Sequence, residues 1–186
     1  MNSISSSIIV PARLVFLMWA AYYLDRLFPG QFGVYGILPR TVRGLIGVVA
    51  APLLHGSVAH LVSNTMPLLI LGTVLYMFYD RIASRVFLQC YFFTGILVWL
   101  FGRPFYHIGA SGVIYGLASF LMFFGLFRRD FRSLLISIVI VIFYGSIFYG
   151  VLPTQQGVSW ESHLFGGIVG FFNAINTSAY KRISNY

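Results

Sequence analysis

Long apolar stretches recur along the chain and are separated by short polar turns. Six of them are long enough to cross a membrane, because a spanning helix needs about 20 mostly apolar residues. They lie at about residues 11–28, 58–79, 84–101, 111–127, 133–149 and 162–180. The first carries Arg13 near its start, where the side chain must extend to the interface. Since Asp25 and Arg26 follow it and no small-residue cleavage site does, we interpret it as a span and not as a signal peptide.

The composition supports this interpretation. Charged residues make up 9% of the 186 residues and hydrophobic ones 59%, whereas soluble domains carry roughly 25% charged residues. So few charges cannot cover a soluble surface, and a disordered chain would be richer in charge. Without a polar domain or linker, residues 1–186 are predicted to form one membrane domain, an all-α polytopic bundle. The net charge of +8 does not indicate nucleic-acid binding, since no polar domain presents a basic stripe.

Basic residues predict the orientation of the bundle. Eight lie before span one, between spans two and three, between spans four and five, and after span six: Arg13, Arg81, Arg85, Arg128, Arg129, Arg132, Lys181 and Arg182. The other side has Arg26, Arg40, Arg43 and Arg103. The positive-inside rule therefore predicts that both termini are cytoplasmic. On the outer side, residues 29–57 are apolar but interrupted by Pro39 and Pro52, which fits an amphipathic or re-entrant segment in the outer leaflet.

Polar residues inside the spans cluster at one shallow depth. His60 and Asn64 lie near the start of span two, Ser111 opens span four, and His163 lies near the start of span six. Ionisable groups in lipid usually face the bundle interior and mark function, although histidines can also join helices by hydrogen bonds. All three spans enter from the outer side, so we expect a nucleophile, a base and hydrogen-bond donors to meet there. His60 and His163 are both candidates for the base.

Glycines favour close contact between spans four and six. Gly112 and Gly116 form one G-x-x-x-G, and Gly166 and Gly170 form another, a pattern that lets helices approach closely in lipid. This approach would bring Ser111 within hydrogen-bond reach of His163. Tyr115 lies one turn below Ser111, where its ring could support an imidazole.

These residues resemble the motifs of the rhomboid family of intramembrane serine proteases. Three motifs carry the resemblance: His55-x4-His60-x3-Asn64, Gly109-Ala110-Ser111-Gly112, and His163 with Gly166. The segments at residues 36–40 and 51–56 are similar to the family's first-loop pattern. The chain resembles the minimal six-span form of the family.

The resemblance implies a role for each residue. Ser111 would be the nucleophile and His163 its general base. His60, Asn64 and the Ser111 N–H would form the oxyanion hole, with Tyr115 packed on His163. Gly109, Gly112, Gly166 and His55 would support the site. The reaction would be peptide-bond hydrolysis in transmembrane substrates without metal or cofactor. The small size of the chain and the absence of targeting segments predict a prokaryotic plasma membrane. Residues 150–159 would be a lid and span five a substrate gate.

Three other classes of protein remain as alternatives. A metalloprotease would need a motif such as H-E-x-x-H, which the sequence lacks. A transporter would carry polar groups at mid-depth through several spans, whereas here they cluster near one surface. An inactive rhomboid-like protein that binds membrane clients is opposed only by the presence of Ser111 and His163. The four acids, Asp25, Asp80, Asp130 and Glu161, are not placed to complete a Ser-His-Asp triad, which indicates a dyad.

Overall fold

Helices account for nearly all of the described chain. A computed structural model describes residues 3–28, 32–153 and 158–183, with side chains up to residue 178. In chain order the α-helices are α1 Ile4–Ser7, α2 Ile9–Leu27, α3 Gly44–Ala50, α4 Val58–Phe78, α5 Asp80–Phe101, α6 Ser111–Arg128, α7 Phe131–Tyr144 and α8 Trp160–Ile183. Short 3-10 segments lie at Phe32–Tyr35, Ala51–Leu53 and Gly145–Val151. No strand occurs in these three ranges, and the predicted all-α class is confirmed.

Each predicted span coincides with a long helix, with small shifts at the ends. Helix α5 begins at Asp80, four residues before the prediction, because a carboxylate in the first turn interacts favourably with the helix dipole. Helix α7 ends at Tyr144 and continues as the 3-10 segment Gly145–Val151. Among the described residues, α4, α5, α6 and the stretch Phe131–Val151 are long and apolar enough to cross a membrane. For α2, which contains the charged residues Arg13, Asp25 and Arg26, and for α8, spanning stays a prediction.

Helix α6 forms the centre of the bundle. In its most apolar stretch 72% of the residues are buried, against 33% in the corresponding stretches of α4 and of α5 and 11% in that of Phe131–Val151. Helix α8 packs most closely against it, and a Cβ added to Gly166 would overlap the carbonyl of Gly112. Gly170 meets the carbonyl of Gly116 in the same way. The predicted close approach of spans four and six is confirmed, and it joins the two helices that carry Ser111 and His163.

The long connection after α2 folds against the bundle. Its short helix α3 lies against α5, where Tyr91 Oη donates a hydrogen bond to the carbonyl of Val49 at 2.6 Å. Trp99 Nε1 donates another to the carbonyl of Thr41 at 2.8 Å. The opposite face of α3 exposes Leu45, Ile46 and Val49, as expected for a segment in contact with lipid. The short helix α1, beside the start of α2, was not predicted.

Candidate active site

Ser111 is the first residue of α6 and follows a sharp turn. Gly109 adopts a φ of +108°, which favours glycine because a Cβ is strained there. Its N–H donates to the carbonyl of Ala51 at 2.8 Å, so the turn is tied to the 3-10 segment before α4. An added Cβ at Gly109 would also lie 2.6 Å from the ring of His60. The turn therefore sets Ser111 and His60 side by side at one end of the bundle, which we call the site end.

Ser111 and His163 are hydrogen-bonded. Ser111 Oγ lies 2.9 Å from His163 Nε2. His163 is in the first turn of α8, and the contact between Gly112 and Gly166 holds that helix against α6. Ser159 precedes the helix and its Oγ accepts from the N–H of Ser162 at 3.3 Å, which caps α8. The orientation of both helices thus brings the two side chains together.

The second nitrogen of His163 fixes the tautomer of the ring. Nδ1 lies 2.8 Å from the carbonyl oxygen of Gly150. A carbonyl only accepts hydrogen bonds, so Nδ1 carries the proton and Nε2 must accept from Ser111 Oγ. This is the arrangement in which an imidazole can remove the proton of a serine. The Tyr115 ring stacks on the His163 ring, with centroids 4.1 Å apart and planes 6° apart, which fixes the plane of the imidazole.

His60 and Asn64 face the same cavity from α4. Asn64 Nδ2 donates one hydrogen bond to the carbonyl of His60 at 2.8 Å and a longer one to Ser63 Oγ at 3.5 Å. Asn64 is buried, yet it lines the cavity beside Ser111. His55 packs edge-on against His60 with ring centroids 4.8 Å apart. Its Nδ1 donates to the carbonyl of Leu53 at 3.3 Å, which fixes the His55 ring that supports His60.

A cavity of about 910 Å³ surrounds these groups. None of the described residues that line it is Asp, Glu, Lys or Arg. Its polar lining consists of hydroxyl, amide and imidazole side chains. Its apolar lining includes the rings of Phe105, Tyr106, Phe143 and Tyr144 together with aliphatic side chains such as Ile114. The volume is ample for water and an extended peptide, and the lining suits an uncharged segment.

Two polar connections beside the cavity were not predicted. Arg103, after α5, forms an ion pair with Glu161 in the first turn of α8. His107 Nε2 donates to the carbonyl of Arg103 at 3.0 Å, so His107 Nδ1 accepts from Ser159 Oγ at 2.6 Å. Ser162 Oγ lies 2.6 Å from Ser159 Oγ. These contacts fasten the loop before Ser111 to the helix start that carries His163.

Buried imidazoles outside the spans are held neutral. Burial lowers the pKa of His107, which agrees with its role as donor at Nε2 and acceptor at Nδ1. Burial and the nearby His60 ring lower the pKa of His55 to about 4. The part of the chain that the structure describes contains no group of three His, Cys, Asp or Glu side chains able to hold a metal ion. Of the lid predicted at residues 150–159, residues 154–157 lie outside the described ranges.

The chain is thus a polytopic helical membrane protein in which a serine and a histidine are hydrogen-bonded at the site end. Residues 42–180 match the Rhomboid domain family model, and the chain belongs to the rhomboid family. An uncharacterised protein of Mycobacterium tuberculosis is 37% identical over 179 residues, covering 90% of this chain and 74% of the relative. One of Mycobacterium leprae is 35% identical over 175 residues, covering 89% and 69%. Both relatives are named only as uncharacterised proteins.

Proposed function

We propose that this protein is an intramembrane serine endopeptidase that hydrolyses peptide bonds in transmembrane proteins. The observation that carries the proposal is the 2.9 Å hydrogen bond between Ser111 Oγ and His163 Nε2. Its direction is set by the Gly150 carbonyl at Nδ1. Membership of the rhomboid family, which generally consists of such proteases, supports the same activity.

The proposed reaction proceeds through an acyl-enzyme. His163 Nε2 takes the proton of Ser111 as Oγ forms a bond to the scissile carbonyl carbon. The carbon–nitrogen bond then breaks and the leaving amine takes the proton from His163. A water molecule, activated by the same imidazole, attacks the ester and releases the acid. Water must reach the dyad, and the hydroxyl groups that line the cavity favour its entry.

Three donors would stabilise the developing oxyanion. They are the Ser111 N–H at the start of α6, the His60 side chain, and the Asn64 Nδ2 hydrogen whose present contact, with Ser63 Oγ, is long at 3.5 Å. The N–H groups in the first turn of a helix have no intrahelical acceptor, so the first donor is available. Losing one such donor typically lowers kcat by about 10²–10³-fold.

The proposed substrate is a membrane protein with a segment that unwinds near the site end. A peptide bond within an intact helix is poorly accessible, so small or helix-breaking residues near the cut are favoured. Most basic residues lie at the end of the bundle opposite the site end. By the positive-inside rule, this supports an orientation in which that end and both termini are in the cytoplasm. The site end would then face the outside of a plasma membrane.

The test is reconstitution with a transmembrane substrate, followed by treatment with a serine-directed fluorophosphonate. We expect labelling at Ser111, and cleavage that is lost in Ser111→Ala and in His163→Ala although both variants remain folded. Binding of the substrate without labelling or cleavage would contradict the proposal in favour of an inactive client-binding protein. Cleavage that survives Ser111→Ala but stops with a chelator would indicate a metalloprotease.

A further inference from the structure

The backbone carbonyl of Gly150 occupies the position that a carboxylate takes in a serine protease triad. None of the described residues lining the cavity is an acid. The carboxylate of Glu161, two residues before His163, is engaged by Arg103 through Oε1 and, at 3.0 Å, through Oε2. The Gly150 oxygen at 2.8 Å is therefore the group that fixes the proton on His163 Nδ1.

Gly150 belongs to the least enclosed part of the bundle. It lies in the 3-10 segment Gly145–Val151, which continues α7, and in the most apolar stretch of residues 131–151 only 11% of the residues are buried. The same wall lines the cavity through Tyr144, Ser146 and Ile147. The acceptor for His163 is thus carried by the wall of the cavity that has the fewest protein neighbours.

The segment approaches the dyad so closely that only glycine fits at this position. A Cβ added to Gly150 would overlap Tyr115 Oη and lie 3.3 Å from His163 Nδ1. Tyr115 cannot turn aside without losing its parallel stack on His163. A larger residue must therefore displace either the segment or the ring that supports the imidazole.

We propose that the Gly150 carbonyl is a positioning group that holds His163 in the competent tautomer. The dyad would then be active only while the segment Gly145–Val151 is seated against Tyr115 and His163. This inference rests on the proposed function. The position of the segment Gly145–Val151 would then control proton transfer between Ser111 and His163 as well as access of the substrate to the cavity. A wrong imidazole tautomer lowers kcat in serine proteases by up to about 10⁴-fold, so partial displacement has a measurable effect.

The experiment compares Gly150→Ala with Gly145→Ala in the full-length protein in lipid. Gly145 is a matched control because its added Cβ would meet only Val141 Cγ1 at 3.8 Å, an ordinary contact. We expect Gly150→Ala to lower kcat at least about tenfold with KM changed less than about threefold. Gly145→Ala should retain the kcat of the wild type. Equal losses of kcat in both variants would overturn the inference, because any change in the segment Gly145–Val151 would then lower activity, whether or not it displaces the Gly150 carbonyl.

A second variant avoids the steric change. Incorporating the α-hydroxy analogue of valine at position 151 converts the peptide bond after Gly150 into an ester, whose carbonyl is a weaker acceptor. We expect kcat to fall about threefold or more without a change in the thermal midpoint. Wild-type kcat in this ester variant together with an unchanged tautomer would overturn the inference.

The tautomer itself is read by ¹⁵N NMR of ring-labelled histidine, with the His163 signals assigned by their absence in His163→Asn. We expect the wild type to carry the proton on Nδ1, and Gly150→Ala to show a mixture of tautomers. A wild-type spectrum with the proton on Nε2 would overturn the inference. The NMR measurement tests the role of the Gly150 carbonyl even if the protein shows no cleavage. Absence of fluorophosphonate labelling in the wild type would instead contradict only the proposed function.

Discussion

The guanidinium of Arg103 forms an ion pair with the carboxylate of Glu161 across 58 residues of sequence. The Glu161 side chain is 3% exposed and that of Arg103 is 49% exposed. The backbone N–H of Arg103 also donates to Glu161 Oε1 at 3.3 Å. The loop that leads to Ser111 and the helix that carries His163 are therefore joined at their nearest ends.

Removing the cation should cost more stability than neutralising the anion. Arg103→Ala leaves the Glu161 carboxylate buried and without its charged partner, so we expect a loss of about 1–2 kcal/mol, limited by the exposure of Arg103. Glu161→Gln keeps Oε1 as an acceptor and should lose less. Thermal unfolding in detergent measures both. Arg43→Gln is the control, because Arg43 is exposed and makes no ion pair among the described residues; an equal loss there would contradict the role of the pair.

Adjacent glycines in α8 should respond differently to alanine. Gly166→Ala places a methyl group against the Gly112 carbonyl, which forces α8 away from α6 and should cost about 1–3 kcal/mol. We also expect at least a tenfold loss of kcat, since the distance from Ser111 to His163 must increase. Gly167→Ala meets only Phe148 Cε1 at 4.0 Å and should unfold no earlier than the wild type. If the two variants behave alike in unfolding and cleavage assays, the close approach is unimportant.

The ring of Tyr115, and not its hydroxyl group, should be required for activity. Tyr115→Phe keeps the face that lies parallel to His163, and we expect kcat within about threefold of the wild type. Tyr115→Leu removes an aromatic contact worth about 0.5–1.5 kcal/mol and should lower kcat about tenfold through a disordered imidazole. Steady-state kinetics on one substrate compare the variants. Equal activity of the Leu and Phe variants would show that stacking does not matter.

Acid should destabilise the protein through His55. Its pKa is about 4 in the folded state and about 6.5 in an unfolded chain. Because the folded pKa is the lower one, the stability present above pH 6.5 is lost as the pH falls towards 4, by up to about 3 kcal/mol. His55→Asn keeps a donor for the Leu53 carbonyl but does not titrate. Denaturant unfolding from pH 7 to pH 4 should show a shallower pH dependence in this variant, and parallel curves would contradict the assignment.

The sequence was sufficient to predict the parts of the site that side-chain patterns encode. The G-x-x-x-G pairs at Gly112 and Gly166 predicted the contact that brings Ser111 to His163, because small residues at helical spacing have a direct packing consequence. The six long helices followed from apolar runs of sufficient length. The contact of the loop between α2 and α4 with lipid, expected from its apolar content alone, stays a prediction.

The connections that join distant loops could not be predicted. Arg103 and Glu161 lie near the ends of different spans, where a charge is normally explained by its access to water. His107 forms hydrogen bonds on both sides only once Ser159 has been brought beside it. Gly150 contacts His163 through its backbone carbonyl group, which every residue possesses. The amino-acid sequence therefore gives no sign of this contact. In each case the contact depends on where the fold places a polar backbone or loop group, and the sequence does not give that position.

Helix α6 is much more buried than residues 131–151, so the two parts of the protein should respond differently to changes in the bilayer. The serine is carried by a helix surrounded by protein, so changes in lipid thickness or lateral pressure reach it weakly. Few of the residues from 131 to 151 are buried in the protein, which leaves this stretch free to contact acyl chains, and Gly150, near its end, contacts His163. Lipid composition would therefore act as an effector of this protein, setting turnover through the histidine while leaving the nucleophile in place.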